Sequence, residues 1–195
     1  MRRFLVVAVV GVLAACGSSG GSSSSGSGAY VDAAMKSYDD ASSSVKDTFS
    51  RSQARCLIEG IVDAVGVDTL KSHGVEPSDL QKQTSPFKSI SKDLTQAQAE
   101  EVASVITDGK CFNFADIVVK QVSQSGSNPF GQLTKTQIRC FFNELLKENA
   151  VKKALASSIL GQESSSSALQ NAFGNQSKLF SIFGDCKIRP NQITG

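Results

Sequence analysis

The residues with chemistry to offer are five cysteines, a single histidine and two pairs of adjacent carboxylates. Thiols can bind zinc, attack a carbonyl, accept a lipid or oxidise in pairs, and spacing separates these uses. No two of the cysteines stand as CxxC and His73 has no second histidine beside it, so no metal set is expected. Any Ser/His/Asp triad would also need His73. Its setting, Lys71-Ser72-His73-Gly74, reads as a helix end, where histidine offsets the helix dipole. Asp39-Asp40 and Glu100-Glu101 could serve a glycosidase as an acid and base, but sequence neighbours on a helix point about 100° apart. They read as solvated helix faces. Glycine tracts are confined to residues 17–28, with no GK[ST] after them, so no phosphate loop is expected. Asn175-Gln176-Ser177 has the spacing of a glycosylation site. No catalytic residue, metal or cofactor is expected.

Cys16 has a different setting. Arg2 and Arg3 precede an apolar run over residues 4–13 that ends in small residues, the order of a secretory signal. The run is too short for a stable span, which needs about 20 residues for a core of about 30 Å. Its end, Leu13-Ala14-Ala15-Cys16, resembles the bacterial lipobox: a branched apolar residue, two small residues, then the cysteine that is acylated. The resemblance implies a signal peptide over residues 1–15, cleavage between Ala15 and Cys16, and lipid on the Cys16 thiol. Arg2-Arg3-Phe4-Leu5 also resembles a twin-arginine signal, although only Met1 precedes it. Every residue from 17 to 28 is Gly or Ser, so residues 16–29 are expected to be a lipidated, disordered tether. Its end-to-end distance is about 20 Å. The implied location is outside the cytoplasm, anchored to the cell membrane by two or more acyl chains on Cys16. Removing Arg2 and Arg3 takes Lys+Arg from 20 to 18 against 18 Asp+Glu, so the mature side chains sum to zero. No nucleic-acid partner is expected of such a chain.

The elements that hold the remaining residues read as helices, in two copies. Residues 49–56 align with residues 133–140 at an offset of 84, carrying Gln53, Arg55 and Cys56 onto Gln137, Arg139 and Cys140. The same offset carries Val31, Ala34, Met35 and Tyr38 onto Ala115, Val118, Val119 and Val122. Gly109-Lys110-Cys111 resembles Gly184-Asp185-Cys186 at an offset of 75. Ser50 with Gln53, Thr95 with Gln98 and Thr134 with Gln137 have capping-box spacing, and Phe49, Leu94 and Leu133 stand where a hydrophobic staple belongs. Behind the caps, Ala54, Leu57, Ile58, Ile61, Val62 and Val65 form one helical stripe, and Ile138, Phe141, Phe142, Leu145 and Leu146 another. Ala99, Val102, Ala103 and Ile106 form a shorter stripe ending at Gly109. Further helices are expected over residues 31–38 and 114–122, and loops at Gly74-Val75-Glu76-Pro77, Ser85-Pro86, 126–129 and the serine run 164–167. Strand-like alternation is absent. The expected fold is all-α, with two tandem units over residues 30–113 and 114–195 of about four short helices each. Phe87, Phe130, Phe141, Phe142, Phe173, Phe180 and Phe183 are expected in cores, with an aromatic ligand groove as the alternative.

Residues 49–186 resemble an actinobacterial type of exported protein, often a lipoprotein, built from one or two small helical units. Each unit opens on Ser/Thr-x-x-Gln-Ala-x-Cys and closes near a second cysteine; the second copy here departs by having Ile138 in place of Ala. The motif is structural and brings no functional residues. After Cys16 is lipidated, four cysteines remain, and three pairings are open to them. Each copy has one cysteine early in its capped helix and one at its close. The repeat therefore predicts Cys56 with Cys111 and Cys140 with Cys186, one disulfide per unit. The expected role is a non-enzymatic envelope module that binds a protein, peptide or wall component, or is structural. The alternative is a carrier of a small apolar ligand in a Phe-lined cavity of about 300 Å³ or more. An enzyme stands third and would need His73 gathered in a cleft with an acid and a hydroxyl.

Overall fold

The computed structural model describes residues 26–81, 90–124, 128, 130–162 and 176–192. The signal segment, Cys16, residues 17–25, Ser85-Pro86, Phe87, the serine run 164–167, Phe173 and Asn175 lie outside the described residues. Among the described residues the chain is helical and without strands. The helices are α1 (Ser27–Asp40), α2 (Ser43–Thr48), α3 (Arg51–Val65), α4 (Val67–Ser72), α5 (Gln96–Thr107), α6 (Phe114–Gln124), α7 (Lys135–Lys147), α8 (Asn149–Ile159) and α9 (Gln176–Asp185). Short 3-10 turns lie at Pro77–Gln81 and Pro190–Gln192.

All three capping boxes form. The Ser50 hydroxyl accepts from the Gln53 N–H at 3.3 Å while the Gln53 carbonyl accepts from the Ser50 N–H at 2.9 Å. Thr95 with Gln98 and Thr134 with Gln137 do the same at 3.0–3.2 Å. Phe49, Leu94 and Leu133 are buried beside these starts, as the staple requires. Two of the glutamines also fasten a second segment. Gln98 Nε2 donates at 2.6 Å to the carbonyl of Val65, the last residue of α3, and Gln137 Nε2 donates at 2.8 Å to the carbonyl of Lys187. A helix's final carbonyls lack intrahelical partners, so the start of α5 satisfies the end of α3. The breaks between helices need left-handed backbone: Gly66 (φ 83) parts α3 from α4, and Gly109 (φ 70) follows the end of α5.

Helical structure begins earlier than the composition suggests. Ser27, Gly28 and Ala29, expected in the linker, form the first turn of α1. Tertiary packing overrides the poor helix propensity of Ser27 and Gly28, because Tyr30, Val31, Ala33, Ala34, Met35 and Tyr38 are buried just beyond them. Gly26 sits so close to α4 that a Cβ there would lie 3.0 Å from Val67 Cγ1.

Two apolar cores form. The first gathers α1, α3, α4 and α5; the second gathers α6, α7 and α9. They are joined by α8, with Ala156 and the following Leu160 in the first core and Val151 in the second, and by α6, whose Ile117 lies in the first; Leu155 and Phe114 touch both. The Tyr30 hydroxyl donates to the Val75 carbonyl at 2.7 Å and the Tyr38 hydroxyl to the Phe49 carbonyl at 2.5 Å, tying α1 to two loops. Arg55 pairs with Asp32 at 3.0 Å between α3 and α1, and Arg139 pairs with Asp116 at 2.5 Å between α7 and α6. Both partners of the second pair stand 84 positions beyond those of the first.

A Cβ at Gly60 would lie 2.7 Å from Val105 Cγ1, so glycine sets how closely α3 approaches α5. Gly60→Ala gains about 1 kcal/mol of helix propensity and meets an overpacking cost of about 1–3 kcal/mol, since valine is stiff at χ1. The substitution is expected to destabilise wild type and to stabilise the Val105→Ala background by about 1 kcal/mol. Equal effects in both backgrounds, measured by denaturant unfolding, would refute the close approach.

Tyr30 and Tyr38 are the only tyrosines and there is no tryptophan. Burial, aided by nearby carboxylates, raises both phenol pKa values above their ordinary one. A raised folded value means the protonated phenols stabilise the fold fully below about pH 10, a contribution lost as pH climbs through the folded value. The phenolate absorbance is expected to rise late and together with loss of helical circular dichroism. A phenolate step that precedes unfolding would contradict it.

Candidate functional site

The body contains two disulfides, Cys56 to Cys111 and Cys140 to Cys186, as the repeat predicts. Their Cα atoms are 5.3 and 5.6 Å apart, and they close 55 and 46 residues of sequence. Cys56 and Cys140 lie early on α3 and α7, beside the buried stripe and not within it. The closing ends are unlike, although their Gly-x-Cys sequences match. Gly109 is a left-handed residue beyond the end of α5, whereas Gly184 lies inside α9 with Cys186 directly after the helix. The offset of 75 therefore aligns letters and not backbone.

His73 follows α4 at its C-terminal end, the place its neighbours suggest. Its Nδ1 lies 3.0 Å from the Thr69 carbonyl oxygen and 3.1 Å from Ser72 Oγ, and its Nε2 lies 3.4 Å from Asp93 Oδ2. An acid, a histidine and a hydroxyl thus meet, with Asp93 a partner that sequence spacing could not name. Their protons are directed the wrong way for activating a nucleophile. A carbonyl can only accept, so Nδ1 carries hydrogen and donates to Thr69, and Ser72 Oγ donates to the same carbonyl at 2.9 Å. Ser72 consequently faces a protonated nitrogen instead of a base. The cluster sits on the surface, with the Asp93 side chain 54 % exposed.

The carboxylate pairs do not converge. Asp39 is gripped by Arg51 through two bonds, Nε to Oδ1 at 3.0 Å and Nη2 to Oδ2 at 2.9 Å, and hydrogen bonding from that guanidinium holds its pKa below the ordinary carboxylate value. Glu100 accepts from Gln96 Nε2 at 2.9 Å. Among the described residues no three His, Cys, Asp or Glu side chains gather as metal ligands, and no helix is long and apolar enough to cross a membrane.

The phenylalanines divide between packing and surface. Phe49 meets Phe112 edge-on at 5.1 Å in the first core. In the second, Phe142 is ringed by Phe114, Phe130 and Phe141 at 5.4–6.1 Å, Phe141 stacks on Phe183 at 5.7 Å, and Phe183 touches Phe180 at 6.4 Å. Phe180, expected in a core, is 63 % exposed. The reason is geometric: α9 is a short helix that turns Ile182 inward, and at about 100° per residue position 180 lies nearly opposite Ile182, touching only the outer edge of Phe183. Periodicity identified an apolar residue there but could not assign its face.

Compared with family models, curated proteins and solved structures, the chain matches none.

The two clasps differ in what else holds their helix. α5 is packed between α3 and α8, whereas α9 packs chiefly on α7. Each disulfide should contribute about 4 kcal/mol on the chain-entropy view. Replacing Cys56 and Cys111 by Ala is expected to lower stability with α5 still docked. Replacing Cys140 and Cys186 should in addition expose the amides of α9 to hydrogen exchange while the first core stays protected. Identical protection maps for the two variants would remove the distinction.

Proposed function

We propose that this chain is an exported lipoprotein, anchored through an acylated Cys16, whose helical body is a non-enzymatic binding or structural module of the cell envelope. The observation that carries this reading is the allocation of thiols. Four cysteines are consumed pairwise in the body, which leaves Cys16 without a disulfide partner in the chain, and Cys16 stands directly after the apolar run. Disulfides persist in oxidising surroundings outside the cytoplasm, in keeping with export. The balanced charge of the mature chain and the proton arrangement around His73 favour a binding or structural role over nucleic-acid binding or nucleophilic catalysis.

Within this reading the body is a tandem duplication, and the likeness to the actinobacterial-type exported proteins belongs to it. Its support is chemical as well as sequential: Arg55 with Asp32 and Arg139 with Asp116 repeat one ion pair at the alignment offset, between corresponding helices. The second reading, carriage of a small apolar ligand, draws on the half-buried rings of Phe114, Phe130, Phe141 and Phe183 around the second core.

Labelled fatty acid is expected to enter the wild-type protein, and Cys16→Ala to abolish labelling and release the body from the membrane fraction. Unchanged membrane retention of the Cys16→Ala protein would sink the anchor.

A further inference from the structure

We propose that the outward side of α9 is a lipid-contact surface, on which Phe180 enters the interfacial layer of an anionic bilayer while Lys187 and Arg189 face the headgroups. The proposal rests on the lipoprotein reading, because the tether is what brings this surface to a membrane.

Three observations converge on α9. First, Phe180 is exposed but backed: its ring meets Phe183, which stacks on Phe141, so the side chain is presented from an aromatic column rooted in the second core. A ring held this way loses little freedom on insertion. Second, charge is unevenly shared in a chain whose mature total is zero. Residues 176–192 carry Lys178, Lys187 and Arg189 against Asp185, a net +2, whereas residues 96–111 carry Glu100, Glu101 and Asp108 against Lys110, a net −2. Lys178 is engaged by Glu148, while Lys187 and Arg189 are exposed beyond the end of α9. Exposed cations past the end of a helix that carries an exposed aromatic suit an anionic surface, where each cation adds attraction and the ring supplies apolar burial.

Third, reach is sufficient. From Cys16 to Gly26 the chain advances 10 residues, which span at most about 35 Å. A body of about 170 residues has a radius of gyration near 15 Å, by the usual scaling of about 2.2 Å times the 0.38 power of length. A tether about as long as the body is wide lets α9 turn to the bilayer. Tethering also raises the local concentration to the millimolar range, so a single ring and two cations need only weak intrinsic affinity.

The absence of tryptophan makes the test direct. The full-length Phe180→Trp lipoprotein, purified and reconstituted in phosphatidylglycerol/phosphatidylethanolamine vesicles, places one indole at this position without disturbing a buried site. The acyl mass on Cys16 and both disulfides are checked first. The expected result is a blue-shifted emission that brominated lipids quench, weakened by high salt and by Lys187→Glu with Arg189→Glu. Acylated protein with water-exposed, unquenched emission overturns the lipid contact and leaves the anchor standing. Absence of the acyl mass instead overturns the anchor, and the contact with it. A blue shift that grows with protein concentration in the absence of vesicles assigns the face to a second copy and overturns the proposal.

Discussion

None of these helices is long enough to persist alone in water, where stretches under about 12–15 residues are marginal and each leaves several backbone groups unpaired at both ends. Six-residue helices such as α2 and α4 are far below that limit, and even α3 has only 15 residues. The fold is accordingly governed by how helix ends are fastened. Capping boxes begin α3, α5 and α7, left-handed glycines close α3 and α5, and the glutamines of two caps reach across to carbonyls of other segments. The disulfides act on the same problem at larger scale. Each fixes the chain after a closing helix to the flank of a capped helix, where little apolar area is left to bury.

The ends explain why the two cores are not independent bodies. A bundle of a few short helices buries too little surface for comfort, and α8 remedies this by serving both cores. Where α8 packs on α5, Ala156 joins Ala99 and Ala103 in the first core, and Val151 belongs to the second. Lys152 pairs with Asp108 at 2.5 Å along the same seam, and Lys120 of α6 donates to the Asp47 carbonyl of α2. Separating residues 30–113 from the rest would strip α5 of its outer cover.

What could be read from the sequence was whatever chemistry repeats within a short window. The caps, the apolar stripes and the cysteine at each end of a copy are local patterns, and the disulfide pairing followed from their repetition. The ion pairs at Arg55 and Arg139 were also legible, since Asp32 and Asp116 keep the same offset, but the signal is one residue beside each cysteine and needs the alignment to be noticed. Three features were beyond local reading. The helical start at Ser27 is imposed by burial several residues later; the match of Gly109 with Gly184 concealed different backbones; and the partner of His73 lies 20 positions away, at Asp93. Each is decided by packing between segments, which composition does not encode.

The same packing bears on where function could have entered. On the proposed duplication, α5 and α9 are counterpart closing helices, yet α8 covers only α5. A helix covered on two sides has little surface free to vary without cost to the core, and α5 keeps acids and glutamines on what remains exposed. Among the described residues α9 packs chiefly on α7, with Lys178 paired to Glu148. Its outer side carries Phe180 without opening a cavity, because Ile182 and Phe183 supply the packing of the helix itself on the second core. The disulfide made that freedom tolerable: with Cys186 fixed to Cys140, α9 stays in place on a smaller packed area than α5 requires. A clasp that replaces packing thus releases a surface for other contacts, which is why the less embedded of the two closing helices is the better place to seek what this protein touches.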